Sequence, residues 1–349
     1  MADIVIRKQG HAGRITLNRP QALNALTHAM CLAVDAALRG WRDDGDVALV
    51  ILDAAGTRAF CAGGDIARMY ATGIAGDYRY GRRFWADEYR MNARIAEYPK
   101  PVVSFLQGFT MGGGVGVGCH GSHRIVGETS QIAMPECGIG LVPDVGGSFL
   151  LARAPGRLGE YLGTTGTRMG PADAILAGFA DSHVPRSAWP DLLARLAGSG
   201  DTGPIGEIAT PPPKGRLAAR RAVIDRHFAG RTMGDILHAL RDSTDDFAAE
   251  TLQALSRAAP LSAASAVEII HRLRAAGPGL RRALDLEYRF TYRSMQHADF
   301  LEGIRAAIID KDHTPRWRHA GVGEVPAAEV SRMLMPLGGD ALTFEEPQT

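Results

Sequence analysis

The sequence predicts a layered α/β (α+β) core followed by a helical region. Two runs, at 47–52, apolar throughout, and at 102–106, apolar but for Ser104, read as strands covered on both faces. Each is followed by a glycine-rich turn, at Gly63-Gly64 and Gly112-Gly113-Gly114, so strands and helices alternate as they do in layered folds. Beyond residue 213 the apolar residues recur almost everywhere at helical spacing.

Residues 4–6 and 14–17 are the arms of a hairpin that turns between Gly10 and Gly13. Asn18-Arg19-Pro20 ends it. A helix is expected over 23–41, where Leu26, Met30, Val34, Leu38 and Trp41 share one face, with its opening near Thr27. After the strand at 47–52, the stretch from Ala59 to Ile66 is a glycine turn leading into a helix. A helix over 78–97 stops before Pro99, because the residue preceding a proline disfavours helical angles. Strands follow at 102–106 and 122–126, then helices over 150–162 and 171–177. The stretch 198–213, ending in Pro211-Pro212-Pro213, has a linker-like composition. Helices are expected over 217–228, 233–240, 247–258, 262–275 and 280–295. The domain expectation is a core over 1–197, a linker over 198–213 and a helical region over 214–349 packed on the core.

Bulk properties exclude several classes of function. The 349 residues are 46% hydrophobic with a net charge of +1, which fits neither a disordered chain nor a broad nucleic-acid surface. No run approaches the roughly 18 uninterrupted apolar residues of a membrane span. Cys31, Cys61, Cys119 and Cys137 lack CxxC spacing, the pattern of buried thiols in a reduced compartment. The start of the chain enters a strand pattern without a secretory signal, so a cytoplasmic location is expected.

Most motif-like strings fail on their context. Gly116-Val117-Gly118-Cys119-His120-Gly121 spells a dinucleotide fingerprint, but it does not directly follow a strand, and 122–126 continues as a strand where a helix is required. No lysine follows a glycine, so there is no phosphate loop of the G-K type. A G-x-S-x-G elbow is absent. His120 and His123 have no further ligand-type residues at supporting spacing, and no metal is expected. Cys137 reads as a small buried thiol rather than a nucleophile.

Two glycine turns and a set of acids remain. Turns at 62–64 and 112–114 brought together would supply one backbone N–H each to a single oxygen, as an oxyanion hole does; two tight turns with no ligand is the plainer alternative. Glu136 and Asp144 stand in apolar, glycine-rich surroundings, where acids are more often working groups than solvated charges. They are candidates for a base or nucleophile and an acid, against a capping Asp144 and a salt-bridged Glu136. Glu88 passes by itself for a solvated helix residue.

The strings Phe60-Cys61-Ala62-Gly63-Gly64-Asp65-Ile66 and Gln107-Gly108-Phe109-Thr110-Met111-Gly112-Gly113-Gly114 resemble the two signatures of the crotonase (enoyl-CoA hydratase/isomerase) superfamily. Ala133-Met134-Pro135-Glu136, the run Gly140 to Gly147, and the tail strings around Leu286 to Arg289 and Phe300 to Asp312 resemble its 3-hydroxyisobutyryl-CoA hydrolase branch. The resemblance covers essentially the whole chain. It implies a spiral of ββα units and an acyl-CoA thioester substrate. Further implied are an oxyanion hole from the N–H groups of Ala62 and Gly113, and a CoA-binding loop of Ala62, Gly63, Gly64 and Asp65. Substrate contacts are implied for Glu88, Gly113, Glu136 and Asp144, with Glu136 and Asp144 catalytic. No cofactor is expected beyond the CoA of the substrate, no nucleic-acid or membrane partner, and a homo-oligomer is possible for this superfamily. Related hydratases carry a second glutamate at the position of Gly116, which has no side chain to activate water. That disfavours hydration of an enoyl-CoA, the nearer alternative; a non-catalytic acyl-CoA-binding protein is the more distant one.

Overall fold

The computed structural model describes residues 2–344, so Met1 and the last five residues of the expected helical region lie outside the described residues. It divides into two compact units: Met1–Asp65, Arg90–Ala133 and Arg168–Ala218 in the first, and Ile66–Tyr89, Met134–Thr167 and Ala219–Thr349 in the second.

The described strands all belong to the first unit: β1 Ile4–Gln9, β2 Ala12–Leu17, β3 Leu49–Ala54, β4 Ala59–Cys61, β5 Val102–Leu106, β6 Phe109–Met111, β7 His123–Val126, β8 Gln131–Ala133 and β9 Ser182–His183. β1 and β2 form the expected antiparallel hairpin, Ile4 opposite Leu17. β2, β3, β5, β7 and β9 then pair in parallel to complete a six-stranded sheet, while β4, β6 and β8 make a separate parallel sheet of three. In the pairs β3–β4, β5–β6 and β7–β8 the first strand enters the large sheet and the second the small one. That alternation is the spiral of ββα units.

The apolar runs explain the large sheet. Leu49, Ile51, Val103, Phe105 and Ile125 are buried with Trp189, Leu192 and Leu196 of the helix Trp189–Ser199 in one core cluster. Thr27 opens the helix His28–Trp41 as expected, its side chain accepting from the Met30 N–H. The bend between β5 and β6 needs Gly108, which sits at φ +53 with room for no side chain: a Cβ there would lie 2.1 Å from the Arg58 carbonyl oxygen.

Three expectations are corrected. The helix over 150–162 is two helices, Gly147–Arg153 and Leu158–Thr165. Ala154 precedes Pro155 and is extended, as pre-proline residues prefer, and Gly156 turns the chain at φ +57. The linker over 198–213 is not free chain. It contains the helix Gly203–Ile208, with Pro204 and Ile205 buried, and the Thr210 N–H donates to the His183 carbonyl at 2.9 Å. The boundary between core and helical region also falls elsewhere, because 66–89 and 134–167 belong with the C-terminal helices. In that second unit the helix Pro260–Ala276 packs against Gly147–Arg153 and Leu158–Thr165.

Candidate active site

In the first unit the two glycine turns do meet. β4 pairs with β6 through Cys61 and Thr110, which lays the turn after Cys61 beside the one after Met111. Gly112, at φ +51, makes the second turn, and the other two glycines open the helix Gly113–Gly118. The contact is so close that a Cβ on Gly114 would stand 2.1 Å from the Cys61 carbonyl oxygen. The fingerprint-like string at 116–121 thus begins inside a helix rather than in a phosphate-binding loop.

The turn at 62–65 is held from outside by the loop that follows β2. Ala62 N–H donates to the Leu23 carbonyl at 3.0 Å, Leu26 N–H to Gly63 at 2.9 Å, and Asp65 N–H to Leu26 at 2.8 Å. Arg19 pairs with Asp65 at 3.1 Å, so this acid braces the turn. These bonds correct one expectation: the Ala62 amide is occupied by Leu23 and is not available to a ligand. Gly64 bridges to Leu26 through the bonds of its two neighbours, which leaves its own N–H directed away from Leu26. Gly113 is the first residue of its helix, where an amide has no intrahelical acceptor.

The second unit brings Glu88, Glu136 and Asp144 together. All three are only 4% exposed, so none is a solvated surface acid. Glu88 lies on the helix Arg79–Ala96, Glu136 opens the short turn Glu136–Ile139, and Asp144 sits in the loop before Gly147–Arg153. Asp144 does not cap that helix, whose N-cap is Gly146 with no side-chain bond. Its carboxylate instead accepts from the Tyr89 hydroxyl at 2.8 Å. One oxygen each of Glu88 and Glu136 is buried without a hydrogen-bond partner among the described residues. Such atoms are costly in a folded protein and common where a ligand completes them.

Burial pushes all three acids up, and they oppose one another's ionisation. Asp144 reaches about 7, raised by burial and pulled back by the Tyr89 hydroxyl. Glu136 is raised well above the usual carboxylate range by burial and then by Asp144; Glu88 likewise. Activity that calls on ionised Asp144 is expected to rise with pH through about 7. Tyr89→Phe removes the donor that stabilises the carboxylate, so it should move that limb to higher pH; initial-rate pH profiles of both proteins check this. Stability runs the other way. The unfolded acids release protons near pH ~4, whereas the folded state holds them longer, so this contribution to folding is lost as pH rises through the folded values.

Sequence reasoning missed Tyr89 and Glu287. Glu287 is fully buried on the helix Leu280–His297 and accepts from the Gly146 N–H at 2.8 Å and the Ser148 N–H at 3.1 Å. The available signal was a charged residue at a position where the helical spacing of Leu284 and Tyr288 demands an inward face. Cys137, beside Glu136, is buried and its thiol is pushed up by that burial and by Glu136, which suits an inert thiol. Among the described residues no group of three or more His, Cys, Asp or Glu is arranged to hold a metal ion, and no helix is long and apolar enough to cross a membrane.

Comparison with known proteins agrees with this architecture. The enoyl-CoA hydratase/isomerase family model matches residues 12–334. A Gallus gallus protein named 3-hydroxyisobutyryl-CoA hydrolase, mitochondrial, is 35% identical over 98% of this chain and 91% of its own length. An Arabidopsis thaliana protein named probable 3-hydroxyisobutyryl-CoA hydrolase 3 is 38% identical over 90% of this chain and 87% of its own. Among solved structures, one described as an enoyl-CoA hydratase from Rhodobacter sphaeroides superposes with a TM-score of 0.93 at 60% identity, covering 98% of this chain and all of that one. A Mycobacterium thermoresistibile structure described as a carnitinyl-CoA dehydratase also gives 0.93, at 40% identity and 99% of both chains. With its paired glycine turns, its spiral of strands and a family match over nearly its whole length, the chain belongs to the enoyl-CoA hydratase/isomerase family.

Proposed function

We propose that this protein hydrolyses the thioester of a short 3-hydroxyacyl-CoA, with 3-hydroxyisobutyryl-CoA, an intermediate of valine breakdown, as the preferred substrate. The observation that carries the reading is the buried pair Glu136 and Asp144, each 4% exposed, with Asp144 opposing the ionisation of Glu136, in a chain whose animal and plant relatives bear the hydrolase name. Glu136, with one oxygen unpartnered, attacks the thioester carbonyl or takes a proton from the attacking water. The carbonyl oxygen gains charge and is held by backbone amides, Gly113 and, in place of Ala62, Gly64. Each such donor is worth about 3 kcal/mol of barrier in acyl-transfer enzymes. The C–S bond then breaks and the sulfur takes up a proton, so that CoA leaves as the thiol. On the water route this releases the free acid directly; where Glu136 itself has attacked, water cleaves the resulting anhydride to release the acid and restore the carboxylate. Asp144 orients the substrate hydroxyl or assists proton transfer, and Glu88 binds the same side of the acyl group. Water is the only co-reactant that this chemistry requires.

Release of thiol from 3-hydroxyisobutyryl-CoA, followed with a thiol reagent, is the direct test; a wild-type protein that releases none ends the proposal. Hydration of an enoyl-CoA is the second reading, favoured by the description of the 60% identical structure. Against it, Gly116 lies inside Gly113–Gly118 and offers no side chain. Loss of absorbance of a conjugated enoyl-CoA on addition of the protein would support hydration instead.

A further inference from the structure

Glu287 is unusual even among the acids of its unit. It is completely buried, and both carboxylate oxygens are used by one short loop. Gly146 N–H donates to Oε2, Ser148 N–H donates to Oε1, and the Ser148 hydroxyl donates to Oε1 as well. Among the described residues, no arginine or lysine takes part. A plain tether between a helix and a loop would not need a buried acid, since a neutral acceptor avoids the desolvation that pushes Glu287 up to about 8.

The gripped loop has a backbone that needs gripping. Asp144 is followed by two successive left-handed residues, Val145 at φ +52 and Gly146 at φ +79. A β-branched residue is a poor occupant of that region, and such conformations persist only where the surroundings over-determine them. Two groups constrain this one. The Tyr89 hydroxyl orients the Asp144 carboxylate from one side, and Glu287 holds the amides of Gly146 and Ser148. One turn further along the same helix, Thr291 lies 3.5 Å from the Tyr89 hydroxyl, so Leu280–His297 contributes to both constraints.

We propose that Glu287 is a positioning residue, whose carboxylate sets the left-handed turn at Val145 and Gly146 and thereby keeps Asp144 on Tyr89. The proposal rests on the hydrolase reading for what Asp144 does, but not for where Asp144 is held.

Glu287→Gln is the test variant, because it keeps the volume yet turns an amide nitrogen towards one of the donors. A displacement of order 1 Å at a reacting group costs about a hundredfold, so kcat for thiol release is expected to fall by about that factor while KM, set largely by the CoA moiety, changes little. A crystal structure of the variant is expected to show Asp144 withdrawn from Tyr89. Ser148→Ala, which removes one of the three bonds, should give a smaller loss of kcat. The proposal is overturned if Glu287→Gln keeps wild-type kcat, if the loss matches the fraction of protein unfolded, or if Asp144 still accepts from Tyr89 in the variant. Absence of thiol release by the wild type would remove the hydrolase reading alone, and the variant structure would still decide the role of Glu287.

Discussion

Glu136→Gln is expected to lower CoA release by about a thousandfold, the middle of the range for a lost general acid or base. The amide has nearly the same shape but can neither accept a proton nor attack a carbonyl. Stability should move in the opposite sense to activity. Glu136 is buried beside Asp144, Glu287 and Glu88, each of which opposes its ionisation, so the folded state gains nothing from this charge. Thermal unfolding of the variant is therefore expected at the wild-type temperature or above it, the pattern of a residue kept for function at a cost to stability. Thiol release and Tm measured on one preparation check both halves. A variant with wild-type turnover would remove Glu136 from the mechanism.

Gly114→Ala is expected to damage both fold and activity. The added Cβ would meet the Cys61 carbonyl oxygen at 2.1 Å and its carbon at 2.9 Å. These are backbone atoms of β4, which cannot swing aside as a flexible side-chain end can. Overpacking of this kind costs about 3 kcal/mol or more. The strain falls between the two turns that carry Gly64 and Gly113, and loss of one oxyanion donor lowers kcat by about a hundredfold to a thousandfold. Gly206→Ala is the control: it lies within the helix Gly203–Ile208 with nothing within 4 Å of its Cβ position. Its effect on stability should stay within about 0.5 kcal/mol. Chemical denaturation and thiol release distinguish the two variants, and equal behaviour would show that the β4 contact is soft.

Much of the scaffold was legible because single residues determine it. The buried strands at 49–52 and 102–106, the Thr27 cap and the stop before Pro99 are local features, and each appears in the structure where local physics puts it. The errors were of another kind. A continuous apolar period hid the break at Pro155-Gly156, and proline-rich composition hid a short helix whose Ile205 is buried by residues distant in sequence. Both depend on what packs where, and periodicity does not report that.

The site divides along the same line. Sequence alone determined the residue types: glycines at 63, 64 and 112–114 that let two backbones approach, and acids at 136 and 144; the family resemblance added Glu88 and marked Gly116 as the place where related hydratases carry a glutamate. Only the tertiary structure decided which of these groups are available. The Leu23 carbonyl occupies the Ala62 amide and leaves Gly64 as the candidate donor. Burial turns Glu88 from a surface residue into an acid whose ionisation Asp144 opposes; Tyr89, 55 residues before Asp144, donates to its carboxylate, and Glu287, 143 residues after it, accepts from the Gly146 N–H of the same loop. Hydrogen-bond competition and desolvation act between groups far apart in the chain, so no local pattern could have shown them.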